Sequence, residues 1–402
     1  MARPLRLGWL FPLDGHTSAG PLDGVIVLDL SRVLTGPFAA MLLGDLGARV
    51  IKVERPGHGD DTRNWGPPFA GPADAAESTY FLSANRNKQS VSLDLKSDRT
   101  RLLQLISRAD ILVENFRPGV MDRLGLGAAE LRELNPRLVV LSITGFGHDG
   151  PDAGRPGYDQ IVQGEAGIMS LTGMDADHPT KVGIPIADLL AGIYGALGAV
   201  AALHERGTTG RGGVVRTSLL AAVVATHAFQ GTRYLIAEEV PEPSGNQHPT
   251  VAPYGAFTCQ DGVIQIAVGN DDLWRRLAEV VGMDADDPSF RTNADRLEHT
   301  YALQESLRTA FRSEPVDAWM TRLDAAGIPA GRINSLNEVY ASPQVRSQGL
   351  VIAVDHATLG RIELPGPALR FDDLPERAHR APPFLGQDTE EVFRWLDSEP
   401  ER

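Results

Sequence analysis

Asp188 stands apart by its surroundings. It lies in GIPIADLLAGIYGALGAV, where its near neighbours are small or apolar. A carboxylate in such a stretch is costly to bury unless it has a specific role. One such role is nucleophilic attack on an activated carbonyl, and a place at the start of an apolar helical pattern would hold the group ionised through the helix dipole. The same place equally suits a helix N-cap, with the side chain accepting backbone amide hydrogens. Just upstream, GRPGYDQIVQGEAGIMSLTG (Gly154 to Gly173) is rich in glycine, which lets backbone approach a ligand closely, although a turn-rich crossover reads the same way. Tyr158 and Asp159 are its polar candidates for the site, and a buried tyrosine also serves packing with one hydrogen bond.

A second cluster lies between Val50 and Leu124, where eleven basic residues face ten acidic ones, a local +1 against −15 on the rest of the chain. A small anionic ligand would be drawn there, and arginine suits bidentate phosphate contact. Arg99, Arg101 and Arg108 read as solvated helix charges. Arg55 and Arg117 each follow a predicted strand directly, at the carboxyl edge where open α/β sheets bind ligands.

The elements that must carry these residues follow from periodicity. Val25 to Leu30, Val50 to Glu54, Ile111 to Phe116 and Leu138 to Ile143 are short β-branched runs, with helix-like stretches at Phe38 to Leu46 and Thr100 to Ala109 between them. This alternation predicts an α/β fold with a parallel sheet wound by helices. A dinucleotide site would need GxGxxG straight after the first strand, and this chain has SRVLTGPFAA there. A long helix is expected from Ala187 to Glu205, ended by GTTGRGG, with another strand at Val214 to Ser218. The texture then turns polar and proline-bearing, so residues 21–220 read as the first part of a large domain and 245–331 as a smaller inserted one. Strand-like LVIAV and RIELP return residues 335–402 to the large domain, and residues 1–20 read as a flexible extension.

Composition bounds the remaining classes. The 402 residues, 42% of them hydrophobic, suffice for two lobes, and a net charge of −14 opposes nucleic-acid binding. The single cysteine, Cys259, allows neither an internal disulfide nor a CxxC metal pair, so a reducing, cytoplasmic setting is expected. Pro12 and Asp14 interrupt the apolar N-terminal stretch before a signal-peptide core is complete. The stretch from Ile184 to Leu203 carries Asp188 and several glycines, so no membrane span is expected.

Taken in order, LDLSRVLTGPFAAMLLGDLGARVIKVERPGHGDDTR, NRNKQSVSLDLK, VENFRPGVMDRLGL, GYDQIVQGEAGIMSLTG, GIPIADLLAGIYGALGAVAALHERGTTGRG and GNQHPTVAPYGAF resemble the family III CoA-transferases, over about Pro21 to Val392. That group includes formyl-CoA and carnitine CoA-transferases and the α-methylacyl-CoA racemases. The resemblance implies an interlocked homodimer of ring-like chains, each with a Rossmann-like large domain built from both chain ends and a small domain between. It places the catalytic aspartate on Asp188 and the CoA contacts on Arg32, Leu34, Thr35, Arg55, Leu93, Asn115, Phe116 and Arg123. The formyl-CoA enzyme has histidine, glutamine and alanine where this chain has Arg32, Leu34 and Thr35, a departure that bears on its substrate pair.

The implied activity is transfer of CoA from an acyl-CoA to a carboxylic acid through an aspartyl anhydride and thioester, with CoA as co-substrate and no metal or redox cofactor. The GNQHPTVAPYGAF loop resembles the branch acting on dicarboxylates, with His248 a candidate for the second carboxylate. Racemisation of a 2-methylacyl-CoA is the nearest alternative. It needs a base before the aspartate of GYD, where the racemases have histidine and this chain has Tyr158, whose ordinary pKa of about 10 suits that task poorly. A non-catalytic CoA-binding protein is the alternative of another class, expected to lack the nucleophile.

Overall fold

The computed structural model describes residues 20–398, so the expected N-terminal extension lies, but for Gly20, outside the described residues. Six strands, β1 (Ile26–Asp29), β2 (Arg49–Glu54), β3 (Lys88–Ser92), β4 (Ile111–Glu114), β5 (Val139–Thr144) and β6 (Val214–Ser218), form one sheet. Their order is β3-β2-β1-β4-β5-β6, and every pairing is parallel. Strand order reverses between β1 and β4, and doubly wound sheets bind ligands in the crevice outside the carboxyl ends at such a reversal.

The strands are near-continuous apolar runs because both faces of the sheet are covered. On one face Leu28, Ile51, Leu112 and Val140 pack with Leu102, Leu105 and Ile106 of the helix Arg99–Arg108. Val392, Trp395 and Leu396, from the helix Thr389–Ser398 at the other end of the chain, complete that layer. The other face carries α1 (Thr35–Asp45) and α3 (Ile186–Thr209), with α2 (Asp159–Glu165) packed against α3.

The expected strands and helices recur within a few residues of their sequence positions, but β3 was not foreseen. Its sequence, KQSVS, is mostly polar, yet four of its five residues are buried. Those polar groups are satisfied inside: Lys88 pairs with Asp29, and Ser90 Oγ donates to Glu54 at 2.6 Å.

The buried face of α3 is a stripe of small residues, Ala191, Gly192, Gly195, Ala196 and Ala199. A Cβ on Gly192 would lie 3.0 Å from the Thr35 carbonyl oxygen and 3.0 Å from the Phe38 ring, so α1 and α3 approach as closely as backbones allow. Asp188 precedes Gly192 by four residues and therefore shares its face, directed at the start of α1. One expectation is corrected by this helix: among the described residues, α3 is long and apolar enough to cross a membrane by length and composition. In the fold Gly192, Gly195 and Gly198 serve packing against α1, β5 and β6 respectively.

Chain contacts define two units. The first takes residues up to Ala166, Ile184–His227 and the segment from Arg346 onward; the second takes Gly167–Gly183 and Ala228–Val345. The strand-like tail segments pair in the first unit as an antiparallel hairpin, Val351–His356 with Gly360–Pro365. The second unit holds a three-stranded antiparallel sheet, Tyr254–Thr258, Val263–Ala267 and Ala330–Arg332, over a core including Phe257, Trp274, Phe311 and Trp319.

Candidate active site

Asp188 is the third residue of α3 and 9% exposed. It is not the N-cap. That position is Pro185, which offers no side-chain acceptor. The role is filled from α2, where Asp159 Oδ1 accepts the Ala187 amide at 2.8 Å and reaches the Asp188 amide at 3.4 Å. The Asp188 carboxylate is thereby released from capping and accepts a hydrogen bond from Thr35 Oγ1, at the first turn of α1.

Its electrostatics also correct an expectation. Burial raises the Asp188 carboxyl to about 6; the Thr35 hydroxyl opposes this and the Asp159 charge adds to it. The helix start does not hold the group as an ordinary low-pKa carboxylate, because removal from water outweighs what the first turn offers. Tyr80, on the helix Thr79–Ser83, feels the same field: burial, then Asp188, Asp159 and Asp60, push its phenol up to about 12. Its ring meets Trp65 edge-on at 5.1 Å beside a cleft lined by Trp65, Pro67, Pro68, Thr79 and Ser83.

The loop from β1 to α1 is fixed at each residue. Asp29 Oδ1 accepts from the Ser31 amide and hydroxyl, and Lys52 Nζ donates to the Ser31 carbonyl at 2.9 Å. Asn115, just past β4, accepts from the Arg32 amide at 2.8 Å and donates to the Arg32 carbonyl at 2.7 Å. Asp60 Oδ1 accepts from the Val33 amide at 3.2 Å, holding Val33 at φ +68°, where a β-branched residue is strained. The Arg32 guanidinium lies 5.4 Å over the Phe116 ring. Arg32, Leu34, Thr35, Asn115 and Phe116 thus meet at the strand-order reversal, and Thr35 links them to Asp188.

The other residues singled out by sequence distribute differently. Arg55, Arg117 and Arg123 are exposed. Leu93 follows β3 with its side chain buried in the sheet's core layer. Tyr158 immediately precedes α2 and is 61% exposed. His248 belongs to the second unit, stacked between Phe229 and Tyr254 at 5.8 and 5.2 Å, with Nδ1 accepting from the Thr250 amide.

Much of the basic cluster is internal. Lys52, Arg86 and Lys88 are buried and paired with Asp60, Asp45 and Asp29. Arg108, read as a solvated helix charge, is buried as well, whereas Arg101 pairs at the surface with Asp397. Burial draws Lys88 down to about 8 even with Asp29 against it. Lys52 goes the other way, to about 12, because Asp60 and Asp29 together outweigh its desolvation.

These buried charges were missed as loop supports, although a signal was present: Asp29 and Lys52 each break an otherwise apolar strand, in VLDL and VIKVE. Nothing in STYFL pointed to Tyr80.

Comparison with known proteins identifies the family. The sequence profile of CoA-transferase family III matches residues 22–389. Human succinyl-CoA:glutarate CoA-transferase is 39% identical over 96% of this chain and 89% of its own length. Acetyl-CoA:oxalate CoA-transferase of Acetobacter aceti is 40% identical over 89% of this chain and 92% of its own. The crystal structure of a CAIB/BAIF family protein from Brucella suis superposes with a TM-score of 0.84 at 37% identity, covering 94% of this chain and 100% of that one.

Proposed function

The chain belongs to CoA-transferase family III, and from that premise we propose that it moves CoA from an acyl-CoA to a dicarboxylic acid, with Asp188 as the covalent nucleophile. The carrying observation is Asp188 itself: a buried carboxylate, relieved of capping, facing the start of α1 beside the strand-order reversal. Relatives named for glutarate and oxalate support a dicarboxylate acceptor.

The steps balance with one carboxylate. An Asp188 oxygen attacks the acyl thioester carbonyl, the C–S bond breaks, and CoA leaves as thiolate with a mixed anhydride formed on Asp188. The thiolate attacks the aspartyl carbonyl, releasing the donor acid and leaving Asp188 as a CoA thioester. The acceptor carboxylate attacks that thioester and expels the thiolate, which then attacks the acceptor carbonyl of the new anhydride. Product acyl-CoA departs and Asp188 is regenerated. Each step exchanges one acyl bond for another of similar reactivity.

Around this centre, Arg32, Leu34, Thr35, Arg55, Leu93, Asn115, Phe116 and Arg123 are read as CoA contacts, and Tyr158, Asp159 and His248 as substrate-site residues. The switch-point placement of Arg32 and Asn115, and the exposure of Arg55 and Arg123, support that reading. An interlocked homodimer with residues 245–331 as its small domain, and a cytoplasmic setting consistent with the single buried Cys259, complete it.

The test is a panel of acids offered with succinyl-CoA or acetyl-CoA to the purified protein. CoA should pass to C2–C6 dicarboxylates faster than to monocarboxylates. Hydroxylamine added during turnover should convert Asp188 to the hydroxamate, and Asp188→Ala should lose about a thousandfold or more in kcat. An unmodified Asp188 peptide under turnover would remove it from the mechanism.

A further inference from the structure

We propose that Asp159 is the positioning residue for Asp188: reaching across from α2, its carboxylate fixes the first turn of α3 and so the direction in which Asp188 presents its attacking oxygen. The inference rests on Asp188 being the nucleophile and goes beyond a substrate contact for Asp159.

A helix start leaves its first amides without intrahelical partners. In α3 the usual remedy is missing, because Pro185 has no side-chain acceptor. Asp159 Oδ1 supplies it from another helix, at 2.8 Å to the Ala187 amide and 3.4 Å to the Asp188 amide. The support is itself held, since Asp159 Oδ2 accepts from Gln163 Nε2 at 2.7 Å and Gln163 is fully buried. A reacting carboxylate on the third residue of a helix has no freedom to adjust once that turn is pinned, which is what near-attack geometry requires.

Capping and charge are separable contributions of Asp159. Asparagine keeps a carbonyl oxygen for the two amides and removes the charge, whereas alanine removes both. The charge matters because few other ionisable groups face Asp188. The helix Thr79–Ser83 contributes Tyr80, itself held neutral by burial. From α1 comes the Thr35 hydroxyl, and the helix Leu219–Ala225 carries no ionisable side chain. Besides Asp159, α2 carries only Glu165, which pairs with Arg155. The Asp159 charge disfavours ionisation of Asp188, so its removal should ease ionisation.

The experiment compares wild type, Asp159→Asn and Asp159→Ala in the full chain by three readouts: the acid limb of kcat/KM, the kcat-against-KM split for succinyl-CoA, and hydroxylamine labelling at Asp188. Both variants should move the acid limb to lower pH by about half a unit. Asp159→Ala should lower kcat about tenfold more than Asp159→Asn while the succinyl-CoA KM stays within about threefold, since the cap rather than CoA binding is lost. Partial rescue by asparagine together with the shifted limb is the expected signature, and a merely structural residue would not move the limb. Acid limbs coincident with wild type, or equal kcat losses in the two variants, would overturn the proposal while Asp188 labelling in wild type keeps the nucleophile assigned. Absent labelling in wild type would overturn both.

Discussion

At the scale of the residue, the proposed role of Asp188 as nucleophile sets two conflicting requirements. A nucleophile should be ionised near neutrality, and desolvation raises its reactivity, yet the same desolvation disfavours its charge. The balance struck is a carboxyl raised to about 6, which leaves most of it ionised at neutral pH. Activity should therefore fall as pH drops through about 6, because the protonated form cannot attack, and a kcat/KM profile measures this directly. The sign for stability is opposite. The folded value lies above the ordinary value of 3.8, so ionising Asp188 weakens the fold at pH above about 6 and has no effect below about 4. Asp188→Asn should accordingly be inactive yet more stable than wild type by roughly 2 kcal/mol at pH 8, with the gain vanishing in acid. Urea unfolding at the two pH values checks it; equal stability at pH 8 would show that the carboxylate is not strained by burial.

At the scale of the element, the site depends on how closely α1 and α3 approach. Gly192, one turn along from Asp188, is where the backbones meet, and an added methyl would stand 3.0 Å from the Thr35 carbonyl oxygen. In Gly192→Ala, overpacking of about 1 to 3 kcal/mol should outweigh the gain in helix propensity of about 1 kcal/mol. The helices should part by a few tenths of an ångström and weaken the Thr35 to Asp188 hydrogen bond, so kcat should drop by about tenfold with a modest loss of thermal stability. Gly207, on the exposed end of the same helix with nothing within 4 Å of its added Cβ, is the control. Gly207→Ala should stabilise by about 0.5 to 1 kcal/mol and leave kcat unchanged. If both substitutions behave alike in kinetics, close packing is not what aligns Asp188.

At the scale of the whole molecule, the face of α3 away from its glycine stripe is unusual. Ile193, Tyr194 and Leu197 are 47%, 38% and 62% exposed, an apolar surface that a lone chain would present to water. The proposed homodimer would cover it. Sedimentation should give about twice the 43.3 kDa of one chain. Leu197→Asp, which places a charge where a partner would pack, should shift the protein toward monomer and reduce activity as protein concentration falls. Monomeric wild type at micromolar concentration would contradict this and leave the exposed face without an occupant.

The amino-acid sequence alone determined the parallel α/β architecture and the lone carboxylate at Asp188, whereas Arg32 and Asn115 entered only through the resemblance to a known family. The first two depend on local signals: apolar runs of strand length, and a charge among small residues. Other features could be decided only in three dimensions. KQSVS became a strand because its polar groups are satisfied by Asp29 of β1 and Glu54 of β2, and no periodicity records that. Lys52, Lys88 and Arg108 turned inward for the same kind of reason, since ion pairs and burial depend on residues distant in sequence. The cap of α3 came from Asp159, twenty-nine positions before Asp188. Sequence could name both aspartates, but which one caps and which one is free to react depends on the packing of α2 against α3, a contact between helices that neither segment encodes by itself.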